Sequence, residues 1–221
     1  MDFWEAENAW YLHAPVSRLA KAVAQWEVYE SVLSLPGEVA EFGTYKAASL
    51  IRLATFRDIA ESGQSRRIVA FDAFGAFPTP KETASDDEVA FVERFEAEGG
   101  QGLSVEETEA ALAAKGFTNI ELVAGDISAT LPDYLRQHPE LRLALVHIDV
   151  DLHDVTRLVL EMTGSLLVRG GAFMLDDYGK VGGATRAVDE FLVDNPDFAL
   201  TRTPFSYAPS ILQRVNEPAA G

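Results

Sequence analysis

Leu143-Ala144-Leu145-Val146-His147-Ile148-Asp149-Val150-Asp151 is the stretch whose reading decides the fold. Its first six residues form an apolar run interrupted only by His147, and it closes on a pair of carboxylates. A short run that does not alternate reads as a strand buried on both faces, the signature of a parallel sheet covered by helices on each side. Working outward, further short β-like runs occur at Glu38 to Phe42, Ile68 to Phe71, Ile120 to Val123 and Ala172 to Leu175. Two more, Phe198 to Thr203 and Ser210 to Val215, suit a terminal hairpin.

Helical patterns separate these runs. Leu19, Val23, Trp26, Tyr29 and Leu33 recur at helical spacing between Ser17 and Leu35, and Pro36-Gly37 ends the run. Further helices are predicted from about Ala47 to Ala60, Val155 to Leu167 and Ala184 to Leu192, the last stopped by Asn195-Pro196. Ser85 with Glu88 and Ser104 with Glu107 have the spacing of capping boxes, and Lys115-Gly116 closes the second of those helices. The expected organisation is an aromatic arm and helix over residues 1–36, one α/β domain over 37–216, and a frayed tail over 217–221.

Composition narrows the function classes. There are no cysteines, so disulfides, thiolate zinc sites and cysteine nucleophiles are excluded. No apolar run approaches a bilayer span, and the acidic start Met1-Asp2-Phe3-Trp4-Glu5 lacks the basic region of a signal peptide; a soluble protein of the cytoplasm is the expectation. The net charge of -17 opposes binding to phosphate backbones, which argues against nucleic acid as a partner. Most of these charges serve solubility.

In open parallel sheets, ligands sit beyond the carboxyl ends of the strands. That is where this chain keeps its polar residues: Glu41-Phe42-Gly43-Thr44, Asp72, Gly125-Asp126-Ile127, Asp149 with Asp151, and Asp176-Asp177. Gly43 allows a sharp turn and close approach to a ligand, although a tight structural turn reads equally well. Asp72 is placed to accept from the ribose hydroxyls of an adenosyl group, and Asp126 from an adenine amino group, with Ile127 packing on the ring. Helix capping is the competing reading for both acids. The three-glycine dinucleotide loop and the phosphate loop are absent, which disfavours a nicotinamide oxidoreductase.

Asp149 and Asp151 project from one side of an extended chain, and Asp176-Asp177 close the next predicted strand. If those strands are neighbours, the acidic pairs meet about 5 Å apart. Crowded carboxylates raise one another's pKa or share a cation, and all-oxygen ligands suit a hard divalent ion, Mg2+ first, with Mn2+ or Ca2+ as alternatives. His147 reads as a core histidine. His153, just past the acidic pair, reads either as a catalytic neighbour of the acceptor or as a helix cap, while Tyr178, Lys180 and Arg186 are expected along the cleft.

Read together, these segments resemble the macrocin O-methyltransferase family, which includes methyltransferases for deoxysugars on antibiotics and for sugar nucleotides. The resemblance rests on residues 37–46, Phe71-Asp72-Ala73-Phe74-Gly75-Ala76-Phe77-Pro78, residues 125–132, His147-Ile148-Asp149-Val150-Asp151-Leu152, residues 170–179 and residues 184–191. It implies the class I S-adenosylmethionine (SAM) methyltransferase fold, a Rossmann-like seven-stranded, mostly parallel sheet with helices on both faces and an antiparallel last strand. It implies that Glu41, Gly43, Ser49, Asp72, Phe74, Asp126 and Ile127 surround SAM, with Phe42, Thr44 and Gly125 in the same loops. Asp149, Asp176 and Asp177 would then hold Mg2+, with Asp151 as general base and a small hydroxylated acceptor, such as a sugar. A catechol-like phenol is the alternative acceptor, and a non-catalytic SAM- or nucleotide-binding module the alternative function. Ala47-Ala48 stand where the family often has glycines, and His153 where a tyrosine is common. Trp4, Trp10 and Tyr11 in the arm are candidates for a homo-oligomer contact, a lid over the cleft, or core packing.

Overall fold

The computed structural model of the protein describes residues 2–77 and 86–215. Alternating short apolar runs and helices build β1 (Glu38–Phe42), α3 (Ala48–Ala60), β2 (Ile68–Asp72), α4 (Asp86–Gly99), α5 (Val105–Ala114), β3 (Ile120–Ala124), α6 (Ile127–Gln137), β4 (Leu143–Ile148), α7 (His153–Thr163), β5 (Leu167–Leu175), α8 (Gly182–Asp194), β6 (Phe198–Arg202) and β7 (Ser210–Arg214), after α1 (Phe3–His13) and α2 (Val16–Ser31). The seven strands form one sheet in the order β3-β2-β1-β4-β5-β7-β6. β1 to β5 run parallel, and β7 is antiparallel to both its neighbours.

The strand order reverses between β1 and β4, which opens the crevice that receives ligands in such sheets. One face of the sheet buries Phe42, Val146, Ile148, Phe173 and Leu175 against Leu131, Val159, Leu160 and Phe191, which come from α6, α7 and α8. The other buries Val39, Ala70, Leu145, Ala172 and Met174 against Val28, Tyr29, Leu50, Leu53 and Leu112 of α2, α3 and α5. Alternation within each strand therefore supplies two cores.

Three local features differ from the sequence reading. α6 was not anticipated: it is short and contains Pro132, a residue that breaks most helices. It forms because Asp126 caps its start and Leu131 and Tyr134 bury one face. α7 ends at Thr163 rather than Leu167, and β5 begins at Leu167 rather than Ala172. Leu143 pairs with Leu167 but Leu145 pairs with Ala172, so residues 168–171, with Gly170-Gly171, form an irregularity that hides the strand's start. The aromatic arm is a helix, started by a capping box between Asp2 and Glu5, and it buries none of its residues. The box at Ser104 and Glu107 forms with bonds of 3.1 and 2.8 Å. Ser85 and the 217–221 tail lie outside the described residues. No helix among the described residues is long and apolar enough to cross a membrane.

Candidate active site

The strand-end residues named above follow the carboxyl ends of the parallel strands β1 to β5, which flank the strand-order reversal. At β1, Gly43 adopts φ +88°, and a Cβ on it would fall 1.9 Å from the Asp149 carbonyl oxygen. Only glycine lets the β1 loop come this close to the end of β4. Phe42 does not face outward: its ring is buried, stacked on Phe71 at 4.7 Å, and its carbonyl accepts the Asp149 N–H. Ala47, at the start of α3, adopts φ +60°. The position where the family often has glycine thus keeps a glycine-like conformation.

Asp72 organises the loops that follow β1 and β2. Its Oδ2 accepts the N–H groups of Thr44 (2.6 Å) and Tyr45 (3.0 Å), and its Oδ1 accepts that of Phe74 (2.7 Å). A carboxylate offers roughly four lone-pair sites, so these three bonds leave room for about one more donor. Asp126 is exposed and caps α6 by accepting from Ser128 N–H at 2.8 Å, and Ile127 packs against the core on the α6 side. Gly125 turns at φ +133° and donates to the Asp72 carbonyl. Ser49 lies buried on the first turn of α3.

Glu41 is fully buried, between Thr44 Oγ1 at 3.2 Å and His147 Nδ1 at 3.1 Å. Burial opposes a charge on His147, but the Glu41 hydrogen bond and its charge outweigh it and raise the imidazole pKa. His147 is therefore a core histidine with a dedicated carboxylate. Its Nε2 is buried without a hydrogen-bond partner.

The acidic pairs converge. β4 and β5 are adjacent and parallel, and the Asp176 N–H donates to the Ile148 carbonyl at 3.0 Å. Ligand atoms of Asp149, Asp151 and Asp177 lie within 4.8 Å of one another, and so do those of His147, Asp149 and Asp176. Asp149 belongs to both groups. The Asp176-Asp177 doublet splits because neighbouring residues alternate across a sheet. Asp176 turns to the α2 side, where Lys21 meets it; Asp177 accepts the Asp151 N–H at 3.1 Å. Asp151 itself adopts φ +62°, inside a tight turn in which Leu152 N–H donates to the Val150 carbonyl.

Asp149 is pushed up to about 7, first by loss of water and then by the charges of Asp176 and Asp177. Asp151 rises to about 7 through burial and Asp149, and Asp177 to about 7 through burial, Asp151 and Asp176. Asp176 goes the other way: burial would raise it, but Lys21 and His147 hold it below the usual carboxylate range. Three carboxyls that hold protons near neutrality, closely grouped, are a donor set that suits a hard divalent cation.

His153 Nδ1 lies 2.9 Å from Asp154 and its Nε2 3.0 Å from Glu190, so both ring nitrogens are engaged by carboxylates. Of the cleft-edge residues, Lys180 stands 3.5 Å from Asp176, while Tyr178 donates to Asp189 and Arg186 lies 3.7 Å from Glu190. Sequence reasoning missed Lys21, which sits 155 positions from its partner, and the Glu41–His147 pair. The one signal for that pair was a histidine inside an apolar run.

The sequence profile of macrocin-O-methyltransferases (TylF) matches residues 17–196, most of the chain. The chain belongs to the macrocin O-methyltransferase family. It is therefore a SAM-dependent O-methyltransferase. No curated protein matches the sequence. Among solved structures, CalS11, a calicheamicin methyltransferase, superposes with a TM-score of 0.71 at 24% identity, covering 98% of this chain and 87% of its own. A second structure of CalS11, described as a TDP-rhamnose 3'-O-methyltransferase, gives 0.68 at 26% identity, covering 98% and 88%. The O-methyltransferase NovP gives 0.75 at 19% identity, covering 91% and 81%. The fold is thus that of class I SAM methyltransferases.

Proposed function

We propose that the protein transfers the methyl group of SAM to a hydroxyl of a sugar, carried on a nucleotide or a natural product, with a divalent ion, Mg2+ by preference, held at the acidic rim. The observation that carries this reading is the meeting of two acidic groups at Asp149: ligand atoms of Asp149, Asp151 and Asp177 lie within 4.8 Å of one another, and so do those of His147, Asp149 and Asp176. Gly43 brings that loop against the Asp149 carbonyl, which sets the cofactor rim beside the carboxylates. The sugar acceptor is supported by membership of the family and by CalS11, which shares 26% identity.

A neutral sugar hydroxyl is a weak nucleophile, and an ordinary aspartate, with a pKa of about 3.9, is a poor base for it. Asp149, Asp176 and Asp177 are the residues that would hold the ion, and a bound ion makes a coordinated hydroxyl more acidic. Asp151 is the base in this reading. Its carboxyl is raised to about 7, a value suited to accepting a proton near neutral pH. Asp177 holds the Asp151 backbone in its turn through the N–H bond. On the cofactor side, Asp72 shapes the loops of Thr44, Tyr45 and Phe74 and keeps an acceptor site for a ribose hydroxyl. Alignment of the hydroxyl with the sulfonium methyl supplies the rest, worth about 7–11 kcal/mol when well oriented.

A methyl-transfer assay with three acceptors tests the reading: a nucleotide-linked deoxysugar, a glycosylated aglycone and a catechol. Turnover on a sugar acceptor that stops with chelator and returns with Mg2+ is expected. Preference for the catechol would overturn the acceptor class. Undiminished turnover after exhaustive chelation would overturn the role of the ion.

A further inference from the structure

Lys21 lies on α2, outside every strand-end motif. Its ammonium sits 2.8 Å from Asp176 Oδ1 and 2.8 Å from Oδ2, and its side chain is only 18% exposed. It therefore straddles the carboxylate as a coordinated cation would. In a chain with a net charge of -17, this is one of few positive charges turned inward. Asp176 also belongs, with His147 and Asp149, to a group whose ligand atoms lie within 4.8 Å of one another.

On the metal reading above, we propose that Lys21 is a tethered cation that stands in for the divalent ion at Asp176 and is displaced when the ion binds, so that ion binding and the docking of the first half of α2 are linked. An ammonium and a dication cannot both hold the same two oxygens at bonding distance without strong repulsion. The helix is built to yield at one end. Val16, Leu19 and Val23 are 85, 48 and 43% exposed, whereas Ala24, Gln25, Val28 and Tyr29 are buried. Gln25 accepts from Arg52 at 2.7 Å, which pins the second half to α3. Release of Lys21 therefore loosens residues 16–23 while residues 24–31 stay packed.

Calorimetric titration of Mg2+ into the wild type, Lys21→Met and Lys21→Arg, without acceptor, tests this directly. One neighbouring charge at this range is worth about 1–3 decades of equilibrium constant, so Lys21→Met should bind Mg2+ at least about tenfold more tightly, with Lys21→Arg near the wild type. A merely structural lysine would leave affinity unchanged or lower it, and that result overturns the proposal while the metal reading stands. If the wild type takes up no Mg2+ at all, the metal reading itself falls and the linkage with it. Hydrogen exchange on the wild type supplies a measurement that needs no variant. Saturating Mg2+ should speed exchange in residues 16–23 and leave 24–31 unchanged; unaltered exchange in 16–23 overturns the linkage.

Discussion

The rim of the sheet uses the same side chain in two opposite ways on either side of the strand-order reversal. On the β2–β3 side, Asp72 and Asp126 face backbone N–H groups: three for Asp72 and that of Ser128 for Asp126. On the β4–β5 side, Asp149, Asp151 and Asp177 face one another, with a single backbone N–H shared between Asp151 and Asp177. Carboxylates met by amide donors are complete and shape loops. Carboxylates met by carboxylates have few amide donors, and burial together with one another's charge pushes them up to about 7. A strand-end aspartate met mainly by backbone donors shapes a loop, whereas one met mainly by other carboxylates is a candidate cation ligand.

The sharpest break of this comparison is Asp149→Ala, since Asp149 belongs to both three-residue groups. Turnover should fall by about 10³-fold or more, the several kcal/mol expected of a lost ion site, with SAM affinity retained by calorimetry. Equal loss of SAM affinity would erase the distinction between the two sides. Asp151→Asn comes next. Asparagine tolerates positive φ, so the turn survives, and the loss of the base should lower kcat by about 10²–10⁴-fold. The same change removes a charge that burial and Asp149 disfavour, so the metal-free variant should be more stable than the wild type by about 1 kcal/mol or more at pH 8, with little or none of that gain left at pH 4. Chemical denaturation at the two pH values reads this.

Asp72→Ala probes the complete side. It leaves three N–H groups without their acceptor, so destabilisation of about 2 kcal/mol or more and a clear loss of SAM affinity are expected, with Mg2+ affinity unchanged. A variant that kept SAM affinity would show that Asp72 serves the loops alone.

How much of this was legible in sequence follows the same division. The β strands were legible because burial on both faces leaves unbroken apolar runs, and the convergence of the acidic pairs followed from β4 and β5 being neighbours. What escaped was whatever depended on partners distant in sequence or on a local rule overridden by packing. Pro132 hid α6, and the irregularity over 168–171 hid the start of β5. Lys21 was invisible because nothing in its own neighbourhood marks it; only α2 packing beside β5 delivers it to Asp176. The difference between Asp72 and Asp149 was equally hidden, since backbone donors leave no trace in residue identity.

The most direct measure of the carboxylate side comes from pH and Mg2+ together. In the folded, metal-free protein, Asp149, Asp151 and Asp177 hold protons up to about pH 7, while in the unfolded chain they lose them near the ordinary aspartate value. Between about pH 4 and pH 7 the folded state therefore binds more protons, and these groups make stability fall as pH rises. On the proposed metal reading Mg2+ replaces those protons, so its binding is expected to strengthen through the same window. At pH 8 a saturating excess of Mg2+, about 100-fold over Kd, contributes roughly 2.7 kcal/mol and should raise Tm by several degrees. At pH 5 the ion must displace protons, and the gain should shrink to near zero. Thermal unfolding with and without Mg2+ at both pH values reads the difference. In Asp149→Ala the dependence of the Mg2+ effect on pH should disappear, whereas in Asp72→Ala it should persist on a lower baseline, because only one side of the rim exchanges protons for the ion.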